Sequence, residues 1–250
     1  EPDGTPAGSA EYQPATAPAT FSVMVAGRPA PGGMLLAGIR MLQSGGPQAE
    51  QTFFLAHCDV EGREQTVFLE KDYAIDFAAF RLDEAAMDFV WNGRMATDAQ
   101  APDGEVVREF SRPVTIGERT ARQRTVATKL LEGIGASYGV PLQGVTIEDR
   151  EPAITGLDVR PDGTVWVRTP ANEPPAGAYA VYDVFAADGR FREQVALQIT
   201  GDPDRDRAYL LADGRLAVVR GDLDAWLGQQ GVASDATDAP VLEVVVYEAF

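Results

Sequence analysis

Residues 154–168 read ITGLDVRPDGTVWVR, two short apolar runs separated by the tripeptide Pro161-Asp162-Gly163. An Asp-Gly pair between apolar runs is a strong signal for a β-hairpin, because the tight turn needs a positive φ that Gly adopts without strain. The same pair returns at Asp188-Gly189 and Asp213-Gly214, so the three glycines are 26 and 25 residues apart. Similar turn signals precede them at Glu61-Gly62, Asn92-Gly93 and Asp103-Gly104. The sequence therefore predicts repeated β-hairpins.

Strand-like runs of this kind fall into four groups, at about residues 20–70, 76–111, 154–198 and 207–248. Their lengths and their Gly- and Pro-rich borders are typical of short strands, and we expect four strands in each sheet. The last group stops one strand short. Because circular folds close their last sheet with a strand from the other end of the chain, we expect residues 11–15 or 21–26 to complete it.

One helix is predicted between the second and third groups, at about residues 117–133, since apolar positions recur there at intervals of three and four residues. Gly133 is the predicted stop signal. We expect this helix to be an insertion on one rim of the β domain. Its basic side chains stand out in an acidic chain and have two interpretations, a solvated helix face or a partner-binding surface. They are Arg119, Arg122, Arg124 and Lys129.

Composition limits the possible partners. The 250 residues include 38 acidic and 21 Lys and Arg side chains, a net charge of −17. Such a charge repels phosphate backbones and anionic lipid surfaces, so nucleic acid is not an expected partner. No run approaches the ~20 apolar residues of a membrane-spanning helix, and we expect no transmembrane segment.

The amino-terminal residues 1–19 are rich in Pro, Ala and Thr, with Tyr12 as their only large apolar side chain. We interpret them as a flexible linker that precedes a β domain over residues 20–250. This composition, together with the absence of an initiator Met, favours a processed amino terminus and an extracytoplasmic location, periplasmic or membrane-peripheral.

Residues 151–168, followed by Tyr182-Asp183-Val184-Phe185 and Asp188-Gly189-Arg190, resemble the blade motifs of bacterial extracytoplasmic six-bladed β-propeller proteins, relatives of the NHL and TolB-type propellers. In that family, a PDG-x-hydrophobic-W-V hairpin forms the inner strands of a blade, and a W/Y-D-V-F-D-x-x-G-R hairpin forms the outer pair. The resemblance is clearest over residues 150–220 and weaker over 75–150. It implies an all-β propeller of four-stranded blades with one helical insertion.

Four blade-like groups are visible where the family implies six. We expect the missing blades to lie outside this chain; two degenerate blades within residues 1–75, or a ring built differently, are the alternatives. A two-sheet β-sandwich is the structural alternative, because it also contains many short strands. A sandwich, however, gives no reason for strands grouped in fours at a blade-like period.

Few residues indicate chemistry. Cys58 and His57 are each the only residue of their type, so an internal disulfide is excluded and His57 is expected to be a hydrogen-bonded, partly buried side chain rather than a metal ligand. Residues 135–139 match G-x-S-x-G around Ser137, but they follow a helix instead of a strand, so we interpret them as a helix end and loop. The alternating acids of residues 202–206 lack the sixth-position Gly of a calcium loop and are interpreted as an inter-blade loop.

Two functions follow from these patterns. The first is a non-enzymatic protein-binding or scaffold propeller without a cofactor, an accessory or structural subunit of a larger cell-envelope or membrane-associated assembly. Its predicted partner-binding residues are Trp226, Arg119, Arg122 and Arg124, since exposed Trp and Arg side chains dominate many interfaces. The second is a small-ligand-binding propeller or a metal-dependent, lactonase-like hydrolase, which the resemblance allows. Asp76 and Asp158 are its weak metal-ligand candidates, with Asn92 a weaker third.

Overall fold

The computed structural model describes residues 9–15, 21–43, 48–84, 108–169, 175–211, 213–230 and 242–248. Over these ranges the chain is mostly β, as the sequence predicts, with four sheets, none of which closes on itself. The chain divides into two compact units: unit 1 is residues 1–78 with 86–107, and unit 2 is residues 79–85 with 108–250. A single β domain over residues 20–250 stays a prediction.

Unit 1 contains one antiparallel sheet of four consecutive strands. They are β1 (Phe21–Ala30), β2 (Gly33–Gln43), β3 (Gln48–Asp59) and β4 (Glu64–Asp76). This sheet confirms the first predicted group, with strands that are longer than expected. On one face, the cross-strand pairs Ala37↔Leu55 and Ile39↔Phe53 are buried. Phe54, which points to the opposite face, is also fully buried, so β3 is covered on both sides.

The second predicted group is the part that the sequence describes least well. Phe77–Ala79 forms a short 3-10 helix instead of a strand, residues 108–111 form no strand, and the predicted strand at 89–91 lies outside the described residues. The strand that does form, β5 (Arg81–Asp83), pairs in parallel with β6 (Gly144–Thr146). Parallel pairing joins segments that are distant in the chain, and local patterns carry no signal for it.

The predicted helix forms as α1 (Ala121–Ser137). It begins after Thr120, whose hydroxyl accepts a hydrogen bond from the Gln123 N–H, while the Gln123 side chain accepts one from the Thr120 N–H. This capping box explains the start. The helix continues past Gly133, so the predicted stop is wrong. A Cβ at Gly133 would lie 2.7 Å from the Trp226 ring, so this glycine permits close packing.

Unit 2 contains two further antiparallel sheets. The first has four strands, β7 (Gly156–Val159), β8 (Val165–Arg168), β9 (Ala180–Phe185) and β10 (Phe191–Leu197), and it confirms the third predicted group. Among the described residues, the second has three strands, β11 (Arg207–Leu210), β12 (Leu216–Arg220) and β13 (Glu243–Tyr247), in agreement with the three strands predicted for the last group. A second helix, α2 (Asp222–Gln229), follows β12 and was not predicted.

Four hairpin turns share one backbone geometry, in which the glycine has a φ of 80–93°. In the turn at Gly163, its N–H donates to the Arg160 carbonyl at 2.8 Å, and the Arg160 N–H donates to the Thr164 carbonyl at 2.8 Å. The same two bonds recur around Gly62, Gly189 and Gly214. This pattern is a type I turn followed by a glycine bulge.

The aspartate before each of the last three turn glycines stabilises the turn. The Asp162 carboxylate accepts the Thr164 N–H at 3.0 Å, and Asp188 and Asp213 accept the equivalent N–H groups at 3.0 and 3.1 Å. Side-chain hydrogen bonds from the Thr164 hydroxyl and the Arg215 guanidinium, followed by these backbone bonds, hold the pKa values of Asp162 and Asp213 below the usual range. Aspartate therefore does more than tolerate the turn conformation, because its carboxylate also accepts a hydrogen bond from the backbone.

The predicted closing strand is not found in the described residues. Gln13 forms a single parallel bridge with Arg63, and residues 21–26 belong to β1, which pairs with β2. Both segments therefore pair inside unit 1 and leave the edge of β13 without either predicted partner. The contacts of residues 9–15 also differ from the linker expected over 1–19.

We expect Gly163→Ala to destabilise the protein by about 1–2 kcal/mol, because an L-residue is strained at positive φ. The new Cβ would also lie 3.0 Å from the Ala187 Cβ. Urea unfolding followed by circular dichroism measures the effect. Gly117→Ala is the matched control, since Gly117 has no positive φ and no atom within 4 Å of the added Cβ. Equal stability of the two variants would contradict the role given to the turn.

Candidate interaction surface

The carboxyl-terminal sheet of unit 2 exposes a row of apolar side chains. Leu242, Val244 and Val246 are 58%, 62% and 50% exposed. Because successive strand residues point to opposite faces, these three share one face of the sheet. Val219 and Ala217 of β12 lie opposite Val244 and Val246 and extend the same face. We call these five residues the β13 patch.

The other face of this sheet packs into the core of unit 2. Leu216 and Val218 are fully buried there and cluster with Tyr179, Tyr182 and Leu197. Burial of this face fixes the register of β12, and the alternation of the strand then turns the β13 patch outwards. Both faces of the sheet are thus apolar, whereas only one of them is buried.

The outer edge of β13 is the second feature of this surface. Among the described residues, β13 pairs only with β12. Exposed edge strands are commonly protected by Lys, Pro or a bulge. β13 reads EVVVY, without Lys or Pro, and its pairing with β12 has no register shift. This edge therefore offers backbone donors and acceptors beside an apolar face.

Side-chain contacts hold β13 in place. Arg220 Nη1 lies 2.8 Å from Glu243 Oε2, and this hydrogen bond raises the pKa of the guanidinium. The Tyr247 hydroxyl and Arg220 Nη2 both donate to the Thr200 carbonyl, at 3.3 Å each. Both ends of the strand are anchored, so the surface is preorganised.

Of the predicted partner-binding residues, Trp226 lies on α2 and is half-buried, with its ring against Gly133 of α1. It joins α1 and α2. A role in binding a partner stays a prediction.

Arg119 is buried and forms a two-pronged ion pair with Glu84, with N–O distances of 2.5 and 2.6 Å. Glu84 also accepts the Glu148 N–H at 3.0 Å. Arg119 donates its backbone N–H to the Asp149 carbonyl at 2.9 Å. This pair therefore connects the start of α1 to residues 148–149 and to the segment after β5.

The exposed arginines of α1 also have acidic neighbours within unit 2. Arg122 pairs with Asp202 and with Asp204, whose Oδ2 lies 3.0 Å from Arg122 Nε. Arg124 Nη1 lies 2.5 Å from Asp149 Oδ1. These pairs neutralise much of the basic surface that the sequence predicts on this helix.

The acidic loop 202–206 uses its carboxylates internally. Asp202 and Asp204 contact Arg122, and Asp206 accepts the backbone N–H groups of Asp202 and Gly221 at 2.7 and 3.0 Å. These contacts account for the three alternating acids and agree with the interpretation as a loop, which here connects β10 to β11 of the next sheet; that the two sheets are propeller blades stays a prediction.

The two weak metal-ligand candidates lie in different units. Asp76, at the end of β4, accepts the Ala78 N–H at 2.8 Å, and Asp158 lies in β7 opposite Trp166. Asn92 lies outside the described residues. Among the described residues, no group of three or more His, Cys, Asp or Glu side chains has an arrangement that could hold a metal ion. The hydrolase alternative therefore gains no supporting observation in this part of the chain.

His57 is hydrogen-bonded and partly buried, as the sequence predicts, and Ser137 lies at the predicted helix end. His57 Nε2 lies 3.1 Å from the Pro31 carbonyl and the side chain is partly buried. The Ser137 hydroxyl donates to the Ile134 carbonyl at 2.6 Å, at the end of α1. Burial raises the pKa of the Cys58 thiol to about 11, so the thiol remains protonated near neutral pH.

The β13 patch was not among the predicted site residues. The sequence contains its signal, because Leu242, Val244 and Val246 alternate along the last strand-like run of a group that stops one strand short. Neither described helix is both long and apolar enough to span a membrane. Comparisons of this chain with protein-family models, with curated proteins and with solved structures find no match.

We expect Arg119→Ala to destabilise unit 2 by about 3–5 kcal/mol, because it leaves the buried Glu84 carboxylate without its partner. The matched variant Arg122→Ala removes a pair that is largely exposed, so it should cost about 1 kcal/mol or less. Urea unfolding of both variants measures the difference. Similar small losses for both would contradict a structural role of Arg119.

We expect Glu151→Gln to stabilise the protein at pH 7. Burial raises the pKa of Glu151 above its ordinary value of 4.5, with Asp204 raising it further and Arg119 lowering it. The folded state thus binds the proton of the Glu151 carboxyl group more tightly than the unfolded state does. The free energy of unfolding therefore falls as the pH rises from 4.5 through the raised pKa of the folded state. The advantage of the Gln variant should disappear below pH 4.5. Unfolding at pH 7 and pH 4 tests this, and equal differences at both would contradict it.

Proposed function

We propose that the protein is a non-enzymatic binding module, an accessory or structural subunit of a larger assembly, which binds a partner through the β13 patch. The observation that carries the proposal is the three-stranded sheet whose last strand exposes Val244 and Val246, together with Leu242 just before that strand, at 50–62%. Contiguous exposed apolar surface beside an unprotected strand edge is typical of interaction sites.

The proposed occupant is an extended strand of a partner protein that adds a fourth strand to β13. Strand addition would satisfy the backbone groups of the edge, and its alternate side chains would cover the patch. The neighbouring sheet β7–β10 has four strands, so the addition would make the two sheets alike. A net charge of −17 favours a docking strand that is apolar and not acidic.

The finer part of the proposal concerns the architecture and the location. Consecutive antiparallel strands in groups of four, closed by the same glycine turn, are the form of propeller blades, and they support a β-propeller of this kind. The resemblance to bacterial extracytoplasmic six-bladed propellers supports a place in a cell-envelope or membrane-associated assembly. A binding surface on a rigid sheet requires no catalytic residues, so a non-enzymatic role is compatible with this architecture.

The test is affinity purification of the tagged protein from its native membranes, with mass spectrometry of what is bound. We expect a stoichiometric partner with the wild type and strong loss with Val244→Thr/Val246→Thr. These changes preserve strand shape and remove apolar contacts of ~1 kcal/mol each, which corresponds to about a fivefold loss of affinity per residue.

Val159→Thr is the matched control, because Val159 lies on β7, the edge strand of the neighbouring sheet, and is 47% exposed. Its partner recovery should equal that of the wild type. Equal recovery with the double variant would overturn the assignment of the β13 patch. A dimer of this chain that the double variant dissociates would instead assign the patch to a second copy and contradict the proposed partner.

A further inference from the structure

Residues 9–15 lie against the sheet of unit 1 and make few contacts there. Gln13 donates its N–H to the Gly62 carbonyl and accepts the Glu64 N–H, both at 2.9 Å. The Ala15 N–H donates to Glu64 Oε1 at 3.3 Å. Ser9, Ala10, Glu11, Gln13 and Ala15 are exposed. The segment is thus held by backbone bonds at Gln13 and Ala15 and by the side chain of Tyr12.

Tyr12 fills a pocket with matched polar and apolar groups. Its ring stacks on Phe54 with centroids 5.1 Å apart and planes 13° from parallel. Its hydroxyl donates to Glu64 Oε2 and accepts Arg40 Nε at 2.9 Å. Burial and the Glu64 hydrogen bond raise the pKa of the phenol, so it remains a donor at every physiological pH.

The pocket is built without the segment that fills it. Arg40 lies on β2, Phe54 on β3, and Glu64 and Glu70 on β4. Arg40 Nη2 lies 2.6 Å from Glu64 and Nη1 lies 3.0 Å from Glu70, while its guanidinium carbon lies 4.4 Å from the Phe54 ring centre. With Tyr12 in place, the Arg40 and Glu64 side chains are only 8% and 1% exposed. The ion pairs of Arg40 with Glu64 and Glu70 join β2 to β4 without any contribution from residues 9–15, so they position the polar groups of the pocket.

The entry to the pocket is shaped for an extended backbone. A Cβ at Gly62 would lie 2.3 Å from the Glu11 carbonyl oxygen, so the chain passes where a side chain would stand. The Gly62 carbonyl and the Glu64 N–H, one on each side of Arg63, then bind the residue after the tyrosine. Backbone pairing combined with one aromatic side chain in a pocket is a common mode of peptide recognition.

We infer that this pocket is a binding site for extended peptides that carry a tyrosine, and that residues 9–15 occupy it as an intramolecular ligand. The binding energy is concentrated in one aromatic side chain, as at the centre of many interfaces. A tethered ligand has a high effective concentration, so it excludes peptides of similar affinity until it is displaced. The site lies in unit 1 and is independent of the β13 patch.

The test uses the full chain with Tyr12→Ala, which empties the pocket, and a fluorescent peptide of residues 8–16, GSAEYQPAT. Fluorescence anisotropy should show saturable binding to this variant and at least about tenfold weaker binding to the wild type, because the tethered segment competes. The same peptide with Tyr12→Phe should bind more weakly, since it lacks the hydroxyl, and the Tyr12→Ala peptide should not bind.

Ser9→Ala in the full chain is the matched control. Ser9 is exposed and its replacement leaves Tyr12 in place, so this variant should bind the peptide as weakly as the wild type does. Absence of saturable binding to a folded Tyr12→Ala chain would overturn the inference, as would equal binding to the variant and the wild type. A Tyr12→Ala chain that does not fold would also overturn it, because the segment would then be a part of the core.

Discussion

The repeated glycine turn is the constraint on which most of this structure depends. Four hairpins close with a glycine at φ of 80–93° and the same pair of backbone hydrogen bonds. A bulged turn of this type sets the register of the two strands that it joins, and the register decides which residues face the core. In the β7–β10 and β11–β13 sheets, aspartate carboxylates add a further hydrogen bond to each turn. Local chemistry at the turns therefore specifies these four strand pairs.

Charge is used mainly within the chain. An acidic protein with few basic residues has a carboxylate within reach of most arginines, and the arginines of α1 and its flank show this. Arg119 is buried with Glu84, and Arg122 and Arg124 pair with the loops at 202–204 and 149. A basic side chain on a helix is a poor indicator of a binding surface when acids from other loops neutralise it. The basic side chains that the sequence indicates near α1 are present, and their ion pairs contribute to the fold.

Apolar surface behaves differently at the two sheets that carry proposed sites. In unit 1, residues 9–15 cover part of one face, and a single tyrosine supplies the main contact. In unit 2, the β13 patch has no cover among the described residues. The two surfaces share a chemistry, since each combines an apolar contact with backbone donors and acceptors that no strand of its own sheet uses among the described residues. They differ in whether the chain itself supplies the occupant.

Local sequence patterns determined the β class, the four-strand groups at the first and third positions, the three-strand group at the end and the helix α1. These features depend on turn residues, alternation and capping, which act over a few positions. The sequence does not predict the parallel pair of β5 and β6, because parallel pairing is non-local. It also does not predict the short helix α2, because its N-cap residue, Gly221, forms no side-chain hydrogen bond.

The sites depended on tertiary contacts. The sequence indicates Trp226 and Arg119 as exposed residues. In the structure, Trp226 packs against Gly133 and is half-buried, while Arg119 pairs with Glu84 and is buried. Tyr12 was visible as a lone aromatic residue, and only the fold brought Arg40, Phe54 and Glu64 from three strands to its ring. The sequence by itself determined which segments form hairpins, because that information is local. Tertiary structure decided which side chains are covered, because burial depends on what lies above each face.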